Sequence, residues 1–188
     1  MKKLAVKRVK SKQMGYLVGL FLGDGYAYHD KNSRHYTVEF SLHRKKDKSV
    51  IKKLVELFKK LKFKVYKIKE NRSKSVKLRL HSKALMELIQ KKQKEFFKKK
   101  YFFEDYKLGV VSGYIDAEGK VAGTRKIVLR EKKLRLLRII KKFCSSLGIS
   151  TVKIAPVKVN GKRVWQTTAS GFKGLKHNSV KIRSSYRK

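Results

Sequence analysis

The chain has 188 residues, and its 52 Lys and Arg against 13 Asp and Glu give a formal net charge of +39 at pH 7. That excess calls for a polyanionic partner or leaves the chain strongly self-repulsive, while 41% hydrophobic residues suffice for one compact domain of two halves. The single cysteine, Cys144, excludes a disulfide framework, and the five histidines, with no Cys partners at zinc spacing, supply no structural zinc site.

Residues 1–12 are basic and precede an apolar run at 15–22, an arrangement that mimics a secretory leader. No small-x-small cleavage site follows, and no apolar run approaches the ~20 residues of a membrane helix. The expectation is a loose basic arm on a cytoplasmic protein, prokaryotic or archaeal with an organelle left open, and no membrane partner. Met14, Tyr16, Leu17, Val18, Leu20, Phe21 and Leu22 then predict an apolar helix that ends in Gly23-Asp24-Gly25.

Tyr36, Val38, Phe40 and Leu42 alternate with Thr37, Glu39, Ser41 and His43, the period of a half-buried strand. Over 48–61 the period changes, with Val50, Leu54, Phe58 and Leu61 on one face of an amphipathic helix. Strands follow at 65–69 and 75–81 around the turn 71–74. In the second of these Val76, Leu78 and Leu80 face the core and Lys77, Arg79 and His81 face away. Lys67 and Lys69 are read in the same sense, which predicts a four-stranded sheet with one apolar and one basic face. The lysine-rich segment 90–100 reads as a join, anchored by Phe96, Phe97, Tyr101, Phe102 and Phe103.

Leu108, Val110, Val111, Tyr114 and Ile115 predict a second apolar helix, ending in Ala117-Glu118-Gly119. Gly113 follows Gly19 by 113 − 19 = 94 residues, half the chain, so the motif is an internal repeat that fixes the architecture. The later elements repeat the order less cleanly, with strands at 120–122 and 127–130, a helix over 132–147 stopped by Gly148, and strands at 151–154 and 164–169. The second sheet is expected to expose Lys126, Arg130 and Lys153, with the faces of Arg163, Gln166 and Thr168 open. Cys144 reads as packing, and no period emerges over 171–188.

Small residues four apart, Gly19 with Gly23 and Gly113 with Ala117, share a helix face and predict a close crossing of the two motif helices. Gly25 and Gly119 suit the left-handed residue that stops a helix. If the helices cross there, Asp24 and Glu118 meet at two negative helix ends, where a hard divalent cation with carbonyls such as those of Gly23 and Ala117 would relieve the repulsion. Asp116 reads as structural.

These two motifs, 17–25 and 111–119, resemble the LAGLIDADG homing endonucleases, specifically their single-chain, two-motif members of the archaeal intron-encoded type. The likeness covers nearly the whole chain, and Glu in place of Asp in the second copy occurs within the family. It implies an α+β fold, a pseudo-twofold pair of αββαββα halves whose two antiparallel sheets form a DNA-binding saddle around the packed motif helices. The halves are expected at 1–94 and 107–188, with 95–106 as the join, in one monomer without an obligate protein partner. The resemblance further implies a Mg2+ or Mn2+ nuclease that makes a staggered cut in both strands of a long, non-palindromic or pseudo-palindromic duplex, with Asp24 and Glu118 as metal ligands. Water activation then falls to a solvent network, and Lys120, Arg130 and His43 or Arg44 are candidates for charge stabilisation. Ser41, His43, Arg44, Lys67, Lys69, Lys77, Arg79, Lys126, Arg130, Lys153, Arg163 and Gln166 are candidates for DNA contact. The alternatives are an intron RNA maturase or chaperone on the same scaffold, and a basic structural RNA-binding protein, against which the paired acids argue. A transcription regulator on this scaffold would lack an acid, and no splicing block supports an intein.

Overall fold

A computed structural model describes residues 11–32, 34–69, 74–98, 102–122 and 126–172. The basic arm at 1–10, most of the turn at 71–74, Tyr101 and the tail beyond 172 lie outside the described residues. The chain forms two compact units, Phe21–Phe96 and a second that joins Ser11–Leu20 to the chain from Phe97 onward. The first motif helix, α1 (Ser11–Asp24), therefore gives its first ten residues to the second unit.

In the first unit β1 (Gly25–Asp30), β2 (His35–His43), β3 (Tyr66–Lys69) and β4 (Ser75–His81) form an antiparallel sheet in the order β1-β2-β4-β3. The predicted elements appear, and β1 is added to them. The sheet's apolar face carries Val38, Phe40, Leu42, Val76, Leu78 and Leu80, all buried, with α2 (Lys48–Lys60) contributing Val50, Leu54 and Phe58 to the core. Phe40 meets Phe21 edge-on at 6.1 Å and Phe58 at 6.1 Å, so helix end, sheet and α2 share one aromatic cluster. Asp47 closes the corner between β2 and α2, its carboxylate accepting the His43 N–H at 2.8 Å.

The segment read as a join is in large part helix. α3 (Lys83–Phe97) starts where the Ser82 hydroxyl accepts the Leu85 N–H at 3.2 Å, an N-cap, and it buries Leu85, Met86, Ile89 and Phe96. Leu85, Met86, Ile89 and Phe96 recur at helical spacing, so the lysines between them are the solvent side of a packed helix and not a linker. Phe96 and Phe102 are buried as expected of anchors, but Phe103 is 73% exposed.

In the second unit α4 (Glu104–Glu118) leads into β5 (Gly119–Ala122), β6 (Lys126–Glu131), α5 (Leu134–Ser146), β7 (Ser150–Thr151), β8 (Ala155–Val159) and β9 (Lys162–Ser170). The sheet runs β5-β6-β9-β7, and β8 also pairs with β9, one strand more than in the first unit. The added strand, β8, joins β9 through a two-residue hairpin turn, Asn160 and Gly161, both at positive φ, +47° and +75°. α5 ends as predicted at Gly148, at φ +71°, with Gly148 N–H to Ser145 and Ile149 N–H to Cys144 closing the last carbonyls. Leu137, Ile140 and Cys144 of α5 are fully buried, as are Leu129 and Ala169 of the sheet.

Candidate functional site

Within the second unit, residues 11–20 of α1 lie backbone to backbone on α4. A Cβ on Gly19 would strike the Val110 carbonyl, 2.8 Å from its carbon, and one on Gly113 would strike the Tyr16 carbonyl and lie 2.7 Å from the Leu20 nitrogen. Gly15 against Tyr106, and Gly109 against Lys12 and Tyr16, are equally tight. The contacts step forward together along both segments, so the two run parallel. Gly19 and Gly113 thus sit at a crossing, with Gly15 and Gly109 as their four-apart partners. The expected partners, Gly23 and Ala117, lie one turn further along, half-buried. Asp116 is structural here, because the Tyr16 hydroxyl donates to its Oδ2 at 2.7 Å and ties the pair.

The motif glycines Gly25 and Gly119 do not take the left-handed conformation. Gly119 is extended, at φ −77° and ψ 131°, and each glycine is the first residue of a strand. What excludes a side chain is space, since a Cβ would run into the ring and Cα of Phe21 at Gly25 and reach 2.5 Å from the Ile115 carbonyl oxygen at Gly119. The motif is a sharp helix-to-strand corner, and it places one acid, Asp24 or Glu118, on the last residue of each motif helix.

Asp24 is half-buried in the first unit and Glu118 half-buried in the second. Burial pushes the Glu118 carboxyl above the usual carboxylate range, and the charge of Glu131 pushes it further, against a smaller lowering by Lys132. Glu131 accepts the Tyr114 hydroxyl at 3.1 Å on Oε2 and the Lys133 N–H at 2.9 Å on Oε1. Burial first, then Glu131 and Glu118, raise the Tyr114 hydroxyl as well, so it stays protonated and donates. Tyr114, Glu131 and Lys132 escaped the sequence reading, because Tyr114 reads as core and Glu131 and Lys132 as the edge of a charged helix.

Among the described residues no group of three or more His, Cys, Asp or Glu could hold a metal. A motif acid with helix-end carbonyls is an oxygen-only donor set with room for phosphate oxygens and water, the arrangement Mg2+ takes when substrate completes its shell. Glu131 near Glu118 adds negative charge that a divalent cation would offset in the same way.

Register settles which residues share each sheet face, since cross-strand partners point to the same side. Ser41 opposite Lys77, Glu39 opposite Arg79 and Thr37 opposite His81 form the polar face of the first sheet, joined by Tyr66 opposite Arg79. Lys67 pairs with Leu78 and Lys69 with Val76, so both point to the apolar side at an exposed edge, contrary to expectation. The polar face has one buried acid, Glu39, bonded by Arg79 Nε at 2.9 Å with Lys77 Nζ at 3.8 Å. His43 turns Nδ1 to the Lys45 and Lys46 N–H groups at 3.3 and 3.1 Å, which ties the ring into its turn. Arg44 is exposed in that turn, its N–H bonded to the Lys74 carbonyl.

On the polar face of the second sheet lie Lys120, Lys126, Arg130, Gln166 and Thr168, with Arg130 Nε donating to Gln166 Oε1 at 2.8 Å. Arg163 is on the other face, opposite Lys158 and 5.3 Å from the Trp165 ring. Lys153 lines a cavity of about 500 Å³ with Arg138, Lys141 and Lys142 of α5, away from the polar face. Both departures arise where strand alternation was uncertain in the sequence: Lys153 precedes β8, and β9 begins at Lys162, two residues earlier than expected.

Comparison with known proteins agrees with this geometry. An uncharacterized protein of Methanocaldococcus jannaschii, MJ0398, is 28% identical over 156 residues, 79% of this chain and 54% of that protein. The chain thus spans about half the length of that relative. The homing endonuclease I-DmoI, solved with DNA and Ca, shares 24% identity at a TM-score of 0.68, over 85% of this chain and 83% of that one. I-DmoI E117A, solved with its target DNA and Mn, shares 22% identity at 0.67, over 85% and 87%. The full-length DUF199/WhiA of "Thermatoga maritima" shares 16% at 0.60, over 93% of this chain and 57% of that one. No helix of the described residues is long and apolar enough to cross a membrane. The LAGLIDADG-like domain matches twice, over residues 11–99 and 105–182, and with most of its length so matched the chain belongs to the LAGLIDADG-like domain family.

Proposed function

We propose that the chain is a sequence-specific DNA endonuclease that makes a staggered double-strand cut in a long, asymmetric duplex site, as in intron homing, and works as a cytoplasmic monomer. The observation that supports this most is the duplicated corner, in which each motif helix delivers one acid to its last residue in a chain with 13 acids in all. In this reading Asp24 and Glu118 each hold a divalent cation, Mg2+ or Mn2+, which when bound would polarise the scissile phosphate and stabilise its developing charge. The halves 1–94 and 107–188 each take half of the site. Each sheet has a nine-residue strand, about 30 Å long at ~3.3 Å per residue, or ~9 base pairs of groove.

Water attacks the phosphorus and the 3′ oxygen leaves, with in-line charge gathering on the phosphoryl oxygens. Lys132 beside Glu118 and Lys120 and Arg130 on the polar face offset that charge in the second half. Arg44 and the tied His43 ring are the candidates in the first. On the polar faces Arg79, Lys77, Arg130 and Lys126 offer donors to guanine edges and phosphates, and Gln166 suits adenine. The two I-DmoI structures named above pair this fold with DNA, which favours duplex DNA over intron RNA as the partner.

The test is digestion of a plasmid library of intron-insertion sequences with Mg2+ or with chelator. Wild type is expected to cut in Mg2+ alone, and Asp24→Asn or Glu118→Gln to lose double-strand cleavage while keeping affinity within about tenfold, since amides keep shape and lose charge. Normal cleavage by either variant would remove that acid from the site. Binding without cleavage by the wild type would leave a DNA-binding protein.

A further inference from the structure

The second unit has a cationic groove on the side of its sheet away from the polar face. Leu136, Leu137, Ile139, Ile140 and Cys144 bury one side of α5 against β6 and β9, which turns Arg138, Lys142 and Ser145 outward, all exposed. Val152 fixes the facing wall. Its N–H donates to the Thr168 carbonyl at 3.0 Å, and its carbonyl accepts the buried Thr167 hydroxyl at 2.8 Å and Lys141 Nζ at 2.9 Å. The next residue, Lys153, is exposed and completes with Arg138, Lys142 and Ser145 a cavity of about 500 Å³. A second groove of about 690 Å³, along Leu134, Arg135 and Ile139, shares Arg138 and Lys142 with the first, so the two are continuous.

The chain supplies this groove with cations and no acid. Arg135 and Lys141 are engaged by the Phe97 and Val152 carbonyls. Arg138, Lys142 and Lys153 form no ion pair among the described residues, and no Asp or Glu follows Glu131 anywhere in the sequence. Arg138 and Lys142 stand one turn apart, a spacing at which like charges oppose the helix. In α2, the matching helix of the first unit, Glu56 stands one turn from both Lys52 and Lys60, whereas α5 has no acid. We infer that the groove binds the phosphate backbone of a second segment of duplex DNA, without regard to its sequence. This rests on the reading that the first duplex lies on the polar sheet face. The sheet and α5, a helix about 10–12 Å across, separate the two surfaces. A duplex on one does not bend round to the other, because its persistence length is about 150 base pairs. Cations and a hydroxyl, with no Asn or Gln lining the groove, suit phosphate oxygens. No aromatic ring lines it either, and stacking on such rings is what holds single strands.

The experiment is sedimentation velocity of the full-length chain with an excess of a short, labelled duplex of mixed sequence, between about 50 and 200 mM salt. Wild type is expected to carry two duplexes per chain at the lower salt. The second should leave first as salt rises, its log K falling against log salt with a slope of about 2.7, from 0.9 for each of three phosphates. Arg138→Gln, Lys142→Gln and Lys153→Gln together should weaken the second duplex about tenfold or more and the first less than about twofold. All three side chains are exposed, so the fold is kept. Removing as many charges from α2, with Lys52→Gln, Lys59→Gln and Lys60→Gln, should leave both duplexes bound. One duplex per wild-type chain, or equal loss of the second in both triple variants, overturns the inference. So does single-stranded RNA or polyglutamate that, at equal charge, strips the second duplex and not the first, since the groove would then belong to that partner. Lys126→Gln with Arg130→Gln tests the reading beneath: this pair should weaken the first duplex. If it does not, while the groove variant does, the reading of the polar face is overturned and the groove remains a DNA site.

Discussion

Replacing Gly113 by Ala is the most direct probe of the motif helices. In an exposed helix the change would stabilise by about 1 kcal/mol, because Ala has the better propensity. Here the added methyl would meet the Tyr16 carbonyl oxygen and sit 2.7 Å from the Leu20 nitrogen and 3.0 Å from the Tyr16 carbonyl carbon. Ordinary carbon contacts need about 3.5–4.0 Å, so the helix backbones must part by roughly 1 Å. All three obstructing atoms are backbone and cannot rotate away. Overpacking of this kind costs about 1–3 kcal/mol or more, which outweighs the propensity gain. Three backbone contacts this short put the cost at the upper end of that range, so after the propensity gain the expected net loss is about 2 kcal/mol, a fall in Tm of about 4–8 °C for a chain of this size. Gly19→Ala, against Val110 and Tyr114, should lose as much. Thermal and urea unfolding measure both, and an unchanged or raised Tm for Gly113→Ala would refute the close crossing.

Lys62 follows α2 at φ +58°, the place of a C′ glycine, and Lys62→Gly should stabilise by about 0.5–1 kcal/mol in urea unfolding. Glu118 has its native carboxyl raised above the ordinary value of 4.5, so the folded state keeps a proton that the unfolded state has released. Stability contributed by Glu118 is therefore present at low pH and lost as pH rises from about 4.5 through the raised native value. Glu118→Gln should remove that loss, and melts in chelator should show it more stable than wild type near neutral pH. Arg79→Ala should weaken duplex binding and make the slope of log K against log salt shallower by about 0.9, whereas Lys67→Ala and Lys69→Ala, on the opposite face, should change binding less. Equal losses across both faces would mean that the polar face is not where DNA lies.

Much of the fold was legible because its signals are local. The alternation of Tyr36 to His43 and the four-residue spacing of Val50, Leu54 and Phe58 each name an element on their own, and the repeated acid names the architecture. α3 was missed because lysines dominate 90–100 to the eye, although Leu85, Met86, Ile89 and Phe96 carry the helical period beneath them. The hairpin of β8 and β9 had its signal in Asn160-Gly161, the strongest short turn cue, set between a five-residue strand and a nine-residue one in which the adjacent Val164 and Trp165 break the alternation.

The site was legible only where a residue's role follows from its own place in the chain. Asp24 and Glu118 end their helices, and no long-range fact is needed to say so. The face of Lys67 is different, because a four-residue edge strand shows alternation too briefly to fix its phase, and one step of register moves every side chain to the other side. Pairing with Leu78 decides it, and that pairing is a long-range fact. Glu131 is hidden for the same reason: it lies 13 residues beyond Glu118 in sequence, and only the strand pairing of β5 with β6 and the Tyr114 hydroxyl bring it to the motif acid. The duplication that discloses the two acids also conceals their difference, since a repeat is found by what its copies share. Tyr114 and Glu131 stand at the positions that correspond in chain order to Leu20 and Leu42, behind the motif, where the repeat does not reach. The Tyr114–Glu131 hydrogen bond therefore comes into view only once strand and helix are placed together.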